Sequence, residues 1–140
     1  MKLSTHLLTV MTGLAGFMTS ILWYSPFLLG GVWSQHTNAS IGASPAWKFA
    51  LLPLREIVTA YALLFLLRQM PRMTWFEALW LAGVLWLGFY AVQLAGAVLW
   101  DGRPLALGLV HSGDWLVKLL LITVLLSRFA TEFKAPSRPS

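Results

Sequence analysis

The sequence predicts an all-α integral membrane protein, a bundle of four transmembrane helices with both termini in the cytoplasm. Of its 140 residues, 58% are hydrophobic and only 11% are charged, and the mean hydropathy is +0.72. Soluble domains have about 45–50% apolar and about 25% charged residues, so this composition excludes a soluble enzyme, a disordered chain and a nucleic-acid-binding protein. Four stretches are also long and apolar enough to cross a bilayer, which takes about 20 residues each.

The four predicted spans form a single domain over residues 1–127. They are Leu7–Leu29, Trp47–Leu67, Ala78–Trp100 and Leu105–Ser127. The first is too long and too rich in threonine and glycine for a signal peptide, so we interpret it as a retained helix. The second must include Pro53, which removes one helical hydrogen bond. A tight turn is predicted at 101–104 before the fourth span, and a disordered, proline-rich cytoplasmic tail at 128–140.

Lysine and arginine residues predict the orientation of these spans. One side of the membrane would hold Lys2, Arg68, Arg72, Arg128, Lys134 and Arg138. The opposite side would hold only Lys48 and Arg103. Because positive residues accumulate in cytoplasmic loops, the first side, which carries both termini, is predicted to be cytoplasmic.

The residues that commonly carry catalysis or bind metals are scarce in this chain. It has no cysteine, and its three histidines, His6, His36 and His111, are far apart in sequence. Neither a G-x-S-x-G nucleophile motif nor an H-E-x-x-H zinc motif occurs. We therefore expect no enzymatic activity, no metal site and no cofactor.

Four charged residues lie well inside the predicted spans, far from their ends. They are Arg55 and Glu56 in the second span and Asp114 and Lys118 in the fourth. Counted from the outer ends of their spans, the first three lie roughly 12–14 Å deep, near the middle of the bilayer. Each unpaired charge there costs about 2.5–3.5 kcal/mol, so the four should pair. We expect Arg55 to bind Asp114, and Glu56 to bind Lys118 or His111.

Spacing along the fourth span supports this polar cluster. His111, Asp114 and Lys118 fall within an arc of about 60° and form one stripe. Gln93, in the third span, is expected to add a hydrogen bond to the cluster or between helices. One interpretation is a buried ion-pair network that fixes the register of the second and fourth spans. The alternative is a polar substrate site, or a proton or ion relay in which Glu56 or Asp114 titrates and His111 is the proton partner.

Small residues recur at four-residue spacing in three of the spans. They are Thr12, Gly16 and Ser20 in the first, Ala91 and Ala95 in the third, and Gly108 and Ser112 in the fourth. Such spacing lets helix backbones approach closely in lipid. It fits either packing within one bundle, the interpretation we favour, or an interface between copies of the chain.

Several motifs give the chain a family resemblance. They are Trp23-Tyr24-Ser25-Pro26 followed by Gly30 and Trp33, Gly88-Phe89, Gly102-Arg103-Pro104, and Gly113 followed by Trp115-Leu116-Val117. In these motifs the chain resembles the domain of unknown function 1761 family. The resemblance implies a small four-helix membrane protein, mostly bacterial, with no established activity. From the composition and the spans we expect a location in the bacterial cytoplasmic (inner) membrane, with the lipid bilayer and either a second copy or another membrane protein as partners and no nucleic acid.

The Trp23–Pro26 motif also has a physical interpretation of its own. Tryptophan and tyrosine favour the headgroup level of a membrane, so the motif is expected to anchor the end of the first span. Pro26 disfavours helical geometry at Ser25, and the chain is therefore expected to bend after it. A binding role for Trp23, Tyr24 and Trp33 at the outer surface is the less favoured alternative.

Overall fold

The computed structural model describes residues 3–37, 46–70 and 73–130, and all regular secondary structure in these ranges is helical. The elements are α1 (Leu3–Trp23), α2 (Gly30–His36), α3 (Ala46–Gln69), α4 (Trp75–Leu85), a π-helical segment (Trp86–Ala91), α5 (Val92–Leu99) and α6 (Leu105–Ala130). Four helical stretches are long and apolar enough to cross a membrane: Leu3–Trp23, Trp47–Gln69, Trp75–Leu99 and Leu105–Arg128. The predicted fold class is confirmed.

Some of the sequence predictions concern residues that lie outside the described ranges. Lys2, Arg72, Lys134 and Arg138, which carry much of the orientation argument, are among them. Residues 131–140 of the predicted tail also lie outside. The orientation of the termini and the character of the tail therefore stay predictions.

The first helix ends earlier than the sequence predicts. It covers Leu3–Trp23, whereas the prediction was Leu7–Leu29. The chain then turns, and the turn is closed by hydrogen bonds from the Leu29 amide to the Trp23 carbonyl (3.0 Å) and from the Gly30 amide to the Ser25 carbonyl (3.0 Å). A side chain at Gly30 would collide with the backbone carbonyls of the turn, so this position requires glycine. The short helix α2 follows.

The third span begins earlier than predicted and is not a uniform α-helix. Thr74 caps α4, because its hydroxyl accepts the Glu77 amide while the Glu77 carboxylate accepts the Thr74 amide. This reciprocal capping box fixes the start of the helix at Trp75 instead of Ala78. In the middle, Trp86–Ala91 widens into a π-helical segment before α5 continues to Leu99.

The turn into the last helix is as predicted. Gly102 has a φ of 66°, a left-handed conformation that glycine adopts without strain. The Pro104 carbonyl accepts the amides of Leu107 (3.0 Å) and Gly108 (3.2 Å), which starts α6. Helix α6 extends to Ala130, three residues beyond the predicted end of its span at Ser127.

Helix α6 lies at the centre of the bundle and contacts α1, α2, α3 and all parts of the third span. The C-terminal half of α6 forms an apolar core with α3 and α4. The buried members are Ala60, Leu63, Leu64, Leu67, Ala82, Leu119, Ile122 and Leu126. This core holds the C-terminal halves of α3 and α6 together. Closer to their N-terminal ends, the two helices are joined by ion pairs instead.

The inward face of α1 consists of small and hydroxyl-bearing residues. Its buried residues are Thr5, Thr9, Thr12, Gly13, Gly16 and Ser20. A Cβ atom at Gly13 would lie 2.7 Å from the Ile57 Cα atom, and one at Gly16 would lie 2.8 Å from the Ile122 Cδ1 atom. The small residues of α1 therefore pack within the chain, against α3 and α6, which is the interpretation that we favoured from the sequence.

Candidate functional site

A polar cluster lies where α1, α3 and α6 meet. The side chains of Glu56 and Lys118 are fully buried, and that of Asp114 is 2% exposed. Ser20 of α1 lies beside them and is also buried. The structure thus brings together residues from three helices in the buried interior of the bundle.

Lys118 occupies the centre of this cluster. Its Nζ atom lies 2.9 Å from Glu56 Oε1 and 2.8 Å from Asp114 Oδ2. The contact with Asp114 joins residues four apart on one face of α6, as their spacing indicates. The second oxygen of Asp114, Oδ1, accepts the Ser20 hydroxyl at 2.8 Å. One ammonium group therefore bridges carboxylates on two helices, and the third helix contributes a hydroxyl.

Arg55 lies at the edge of the cluster and binds its neighbour in sequence. Its Nε and NH2 atoms lie 3.1 and 2.7 Å from Glu56 Oε1. The predicted pairing of Arg55 with Asp114 is therefore wrong. Glu56 points into the bundle, whereas the Arg55 side chain is 48% exposed and lies over the Trp115 ring, with its Cζ atom 5.0 Å from the centroid.

Trp115 contacts both cations of the cluster. Lys118 Nζ lies 4.3 Å from its ring centroid, close enough for an attractive cation–π contact. The ring of Tyr90, from the π-helical segment, lies 4.7 Å away from Trp115. Neither Trp115 nor Ser20 is predicted to belong to the cluster. The sequence signal for Trp115 is its position three residues before Lys118, and that for Ser20 is its place on the small-residue face of α1.

His111 does not bind Glu56. Its Nδ1 atom lies 2.6 Å from the Tyr24 hydroxyl, in the turn that follows α1. Burial, and after it the negative charge of Asp114, raise the pKa of the Tyr24 phenol. The Tyr24 ring also meets Trp33 of α2 edge-on at 5.9 Å. His111 therefore joins α6 to the turn that follows α1.

Gln93 also lies outside the polar cluster. It is exposed on α5 and makes no hydrogen bond to any described residue. The prediction that it adds a hydrogen bond to the cluster is not met within the described residues, because its side of α5 does not face α6.

The motif residues form a second set of contacts around the same end of α6. The Trp23 Nε1 atom donates to the Val110 carbonyl at 3.0 Å. A Cβ atom at Gly113 would lie 2.7 Å from Trp23 Cζ2, so the indole packs directly on the α6 backbone there. Trp86 Nε1 donates to the Ser112 carbonyl at 2.8 Å from the opposite side. Trp23 therefore joins the end of α1 to α6.

The remaining motif residues have separate positions. Pro26 is exposed in the turn after α1, where the Ser25 hydroxyl is buried without a hydrogen-bond partner among the described residues. Gly88 lies in the π-helical segment, and Arg103 is exposed in the turn before α6. Within residues 3–37, 46–70 and 73–130, no three His, Asp or Glu side chains converge to hold a metal ion.

The four charges of the cluster sum to zero, but one of its carboxylate oxygens has no hydrogen-bond partner among the described residues. Glu56 Oε1 receives all the donors, from Arg55 and Lys118, whereas Oε2 is buried and has no hydrogen-bond partner among the described residues. An unsatisfied buried oxygen is unusual in a folded protein. Chemically, the cluster is able to hold α1, α3 and α6 together, and Glu56 Oε2 is an oxygen that could take a proton.

Four long apolar helices around a buried, charge-balanced cluster define a small integral membrane protein. The chain belongs to the family described as "Protein of unknown function (DUF1761)", whose family model matches residues 7–127. The family that the sequence motifs resemble is thereby confirmed. No curated protein and no solved structure is significantly similar to the chain.

Proposed function

We propose that the cluster of Arg55, Glu56, Asp114 and Lys118 has a structural role, and that the protein is a structural or accessory helical bundle of the membrane. The observation that carries the proposal is the position of Lys118, which is fully buried between the carboxylates of α3 and α6. The proposal assigns the cluster no catalytic chemistry.

The energetics of buried charges support this role. An ionisable residue at the centre of a span costs about 2.5–3.5 kcal/mol, and this cost is offset only while the charge is paired. Sliding α3 along α6 by one turn, about 5.4 Å, would separate Lys118 from Glu56. The ion pairs therefore penalise every other register of the two helices, as buried polar pairs do in other helical bundles.

The proposal extends to location. The distribution of lysine and arginine favours an orientation with both termini in the cytoplasm. Together with the family resemblance, this distribution supports the proposal that the bundle lies in the inner membrane of a bacterium, in contact with lipid and with either a second copy or another membrane protein.

A flux measurement tests the structural role. The purified protein is reconstituted in liposomes with an imposed pH gradient and compared with the variants Glu56→Gln and Asp114→Asn. Asp101→Asn is the matched control, because Asp101 is an exposed carboxylate in the turn before α6. The structural role predicts that the wild type gives no proton or cation flux above empty vesicles. It also predicts that both cluster variants, unlike the control, unfold at lower denaturant.

The second candidate function is a proton relay, and the free Oε2 atom of Glu56 favours it. A proton on this oxygen would not displace any of the three donors on Oε1. In the relay, Glu56 or Asp114 titrates during transport, and the bundle is part of a proton- or ion-coupled transporter. Flux in the wild type that is lost in a folded Glu56→Gln variant would establish the relay and overturn the structural proposal.

A further inference from the structure

The third span is the least buried of the four and contacts α6 along one side only. Trp86 and Tyr90 reach α6 through the Ser112 carbonyl and the Trp115 ring, and Val98 packs on Gly108. No residue of the π-helical segment or of α5 is buried. The other sides of this span face the surroundings of the bundle.

Gln93 is a polar residue on this exposed surface. It lies six residues before Leu99, the end of the span, and therefore about 9 Å inside it. Its amide has no hydrogen-bond partner among the described residues. An amide without a partner costs about 2–7 kcal/mol in an apolar medium, so a hydrogen-bonding partner from outside the chain is expected.

The residues around Gln93 form a seam suited to another helix. Phe89, Gln93, Gly96 and Trp100 are spaced by four, three and four residues and share an arc of about 60°. Phe89 is 74% and Trp100 is 85% exposed. Apart from neighbouring residues and the backbone of its own helix, the only described atom within 4 Å of a Cβ position at Gly96 is Trp100 Cδ1, at 3.8 Å. A small residue one turn from a polar one lets a second backbone approach closely enough for side-chain hydrogen bonds.

We propose that this seam, Phe89, Gln93, Gly96 and Trp100, is a dimer interface and that its occupant is a second copy of this chain. A carboxamide is self-complementary, because it carries both an NH₂ donor and a carbonyl acceptor. Copies inserted in the same orientation are related by a two-fold axis along the membrane normal, which places the two Gln93 side chains at equal depth. Each amide then donates to the other. The alternating four- and three-residue spacing is that of left-handed helix pairs.

This inference does not depend on the role of the charged cluster. The seam residues lie on the exposed side of the third span, whereas the cluster lies between α1, α3 and α6. A failure of one proposal therefore leaves the other standing, and the two are measured separately.

Disulfide cross-linking in membranes tests the interface. Because the chain has no cysteine, a variant with one introduced cysteine can form a disulfide only through that residue. Trp100→Cys places the reporter on the seam and keeps Gln93. Ala95→Cys is the matched control, because Ala95 is also exposed on α5 but points about 200° away from Gln93. Under mild oxidation, Trp100→Cys is expected to give a covalent dimer and Ala95→Cys to remain monomeric. Equal cross-linking of both variants would overturn the proposal.

The contribution of Gln93 is measured by dimer dissociation in lipid, with Gln93→Leu compared with wild type and with Ala95→Leu. Interhelical amide hydrogen bonds predict that Gln93→Leu weakens dimerisation about 5- to 30-fold and that Ala95→Leu leaves it unchanged. Since Gln93 is exposed and makes no hydrogen bond with a described residue, the variant should unfold at the wild-type denaturant concentration. A wild type that stays monomeric, or a Gln93→Leu variant that dimerises as well as the wild type, would refute the interface.

Discussion

Replacing Lys118 with methionine removes the charge at the centre of the cluster while nearly preserving the length of the side chain. Two contacts are lost, to Glu56 at 2.9 Å and to Asp114 at 2.8 Å. Glu56 keeps Arg55 and Asp114 keeps Ser20, so neither carboxylate loses every partner. The buried region is nevertheless left with two negative charges and one positive charge.

The expected loss is about 3–5 kcal/mol of unfolding free energy, the range for removing one partner of a buried ion pair. This is a large fraction of the roughly 5–15 kcal/mol that stabilises a typical protein. Unfolding in mixed micelles, followed by far-ultraviolet circular dichroism as the denaturing detergent is increased, measures it. Lys48→Met is the control, because Lys48 is exposed at the start of α3, and a change within about 0.5 kcal/mol is expected.

A compensating variant separates electrostatics from packing. In the double variant Asp114→Asn, Lys118→Met, the remaining charges of Arg55 and Glu56 balance again. Part of the lost stability, about 1–3 kcal/mol, should therefore return relative to Lys118→Met alone. If Lys118→Met is as stable as the wild type, or if the double variant loses the sum of the two single effects, charge pairing does not stabilise this bundle.

Three further substitutions probe the contacts of α1 by the same unfolding measurement. Ser20→Ala leaves Asp114 Oδ1 without its hydroxyl donor and should cost about 1–3 kcal/mol; an unchanged midpoint would show that the oxygen finds another donor. Gly13→Ala places a Cβ atom 2.7 Å from the α3 backbone and should cost about 1–3 kcal/mol, whereas Gly83→Ala, with open space around it, should not destabilise. Trp23→Phe removes the indole hydrogen bond to α6 and should cost about 1 kcal/mol, and a larger loss would indicate a packing role beyond that bond.

Features that depend on short stretches of sequence were predictable. The four helices follow from runs of apolar residues, since each must satisfy its backbone within one segment when it lies in lipid. The buried charges follow from length, because the second span cannot reach about 20 residues without including Arg55 and Glu56. The capping box at Thr74 and Glu77 is also visible in the sequence, as a Thr-x-x-Glu pattern. Hydropathy alone starts the third span at Ala78 and misses this cap.

Features that depend on the rotation of each helix were not predictable. Successive residues point about 100° apart, so the direction of a side chain is decided by which face its helix turns toward its neighbours. Depth alone suggested that Arg55 would meet Asp114, but rotation of α3 turns Glu56 inward and Arg55 outward. Rotation likewise leaves Gln93 on the exposed side of α5, where it makes no hydrogen bond to the cluster.

By itself, the sequence determined that this chain is a four-span membrane protein of a recognisable family with charges inside its spans. These properties follow from composition, segment length and local motifs, which require no knowledge of how helices meet. The tertiary structure decided that Lys118 bridges Glu56 and Asp114, that Ser20 and Trp115 complete the cluster, and that Trp23 packs on Gly113. Such contacts join residues far apart along the chain, and only the packing of the helices brings them within bonding distance.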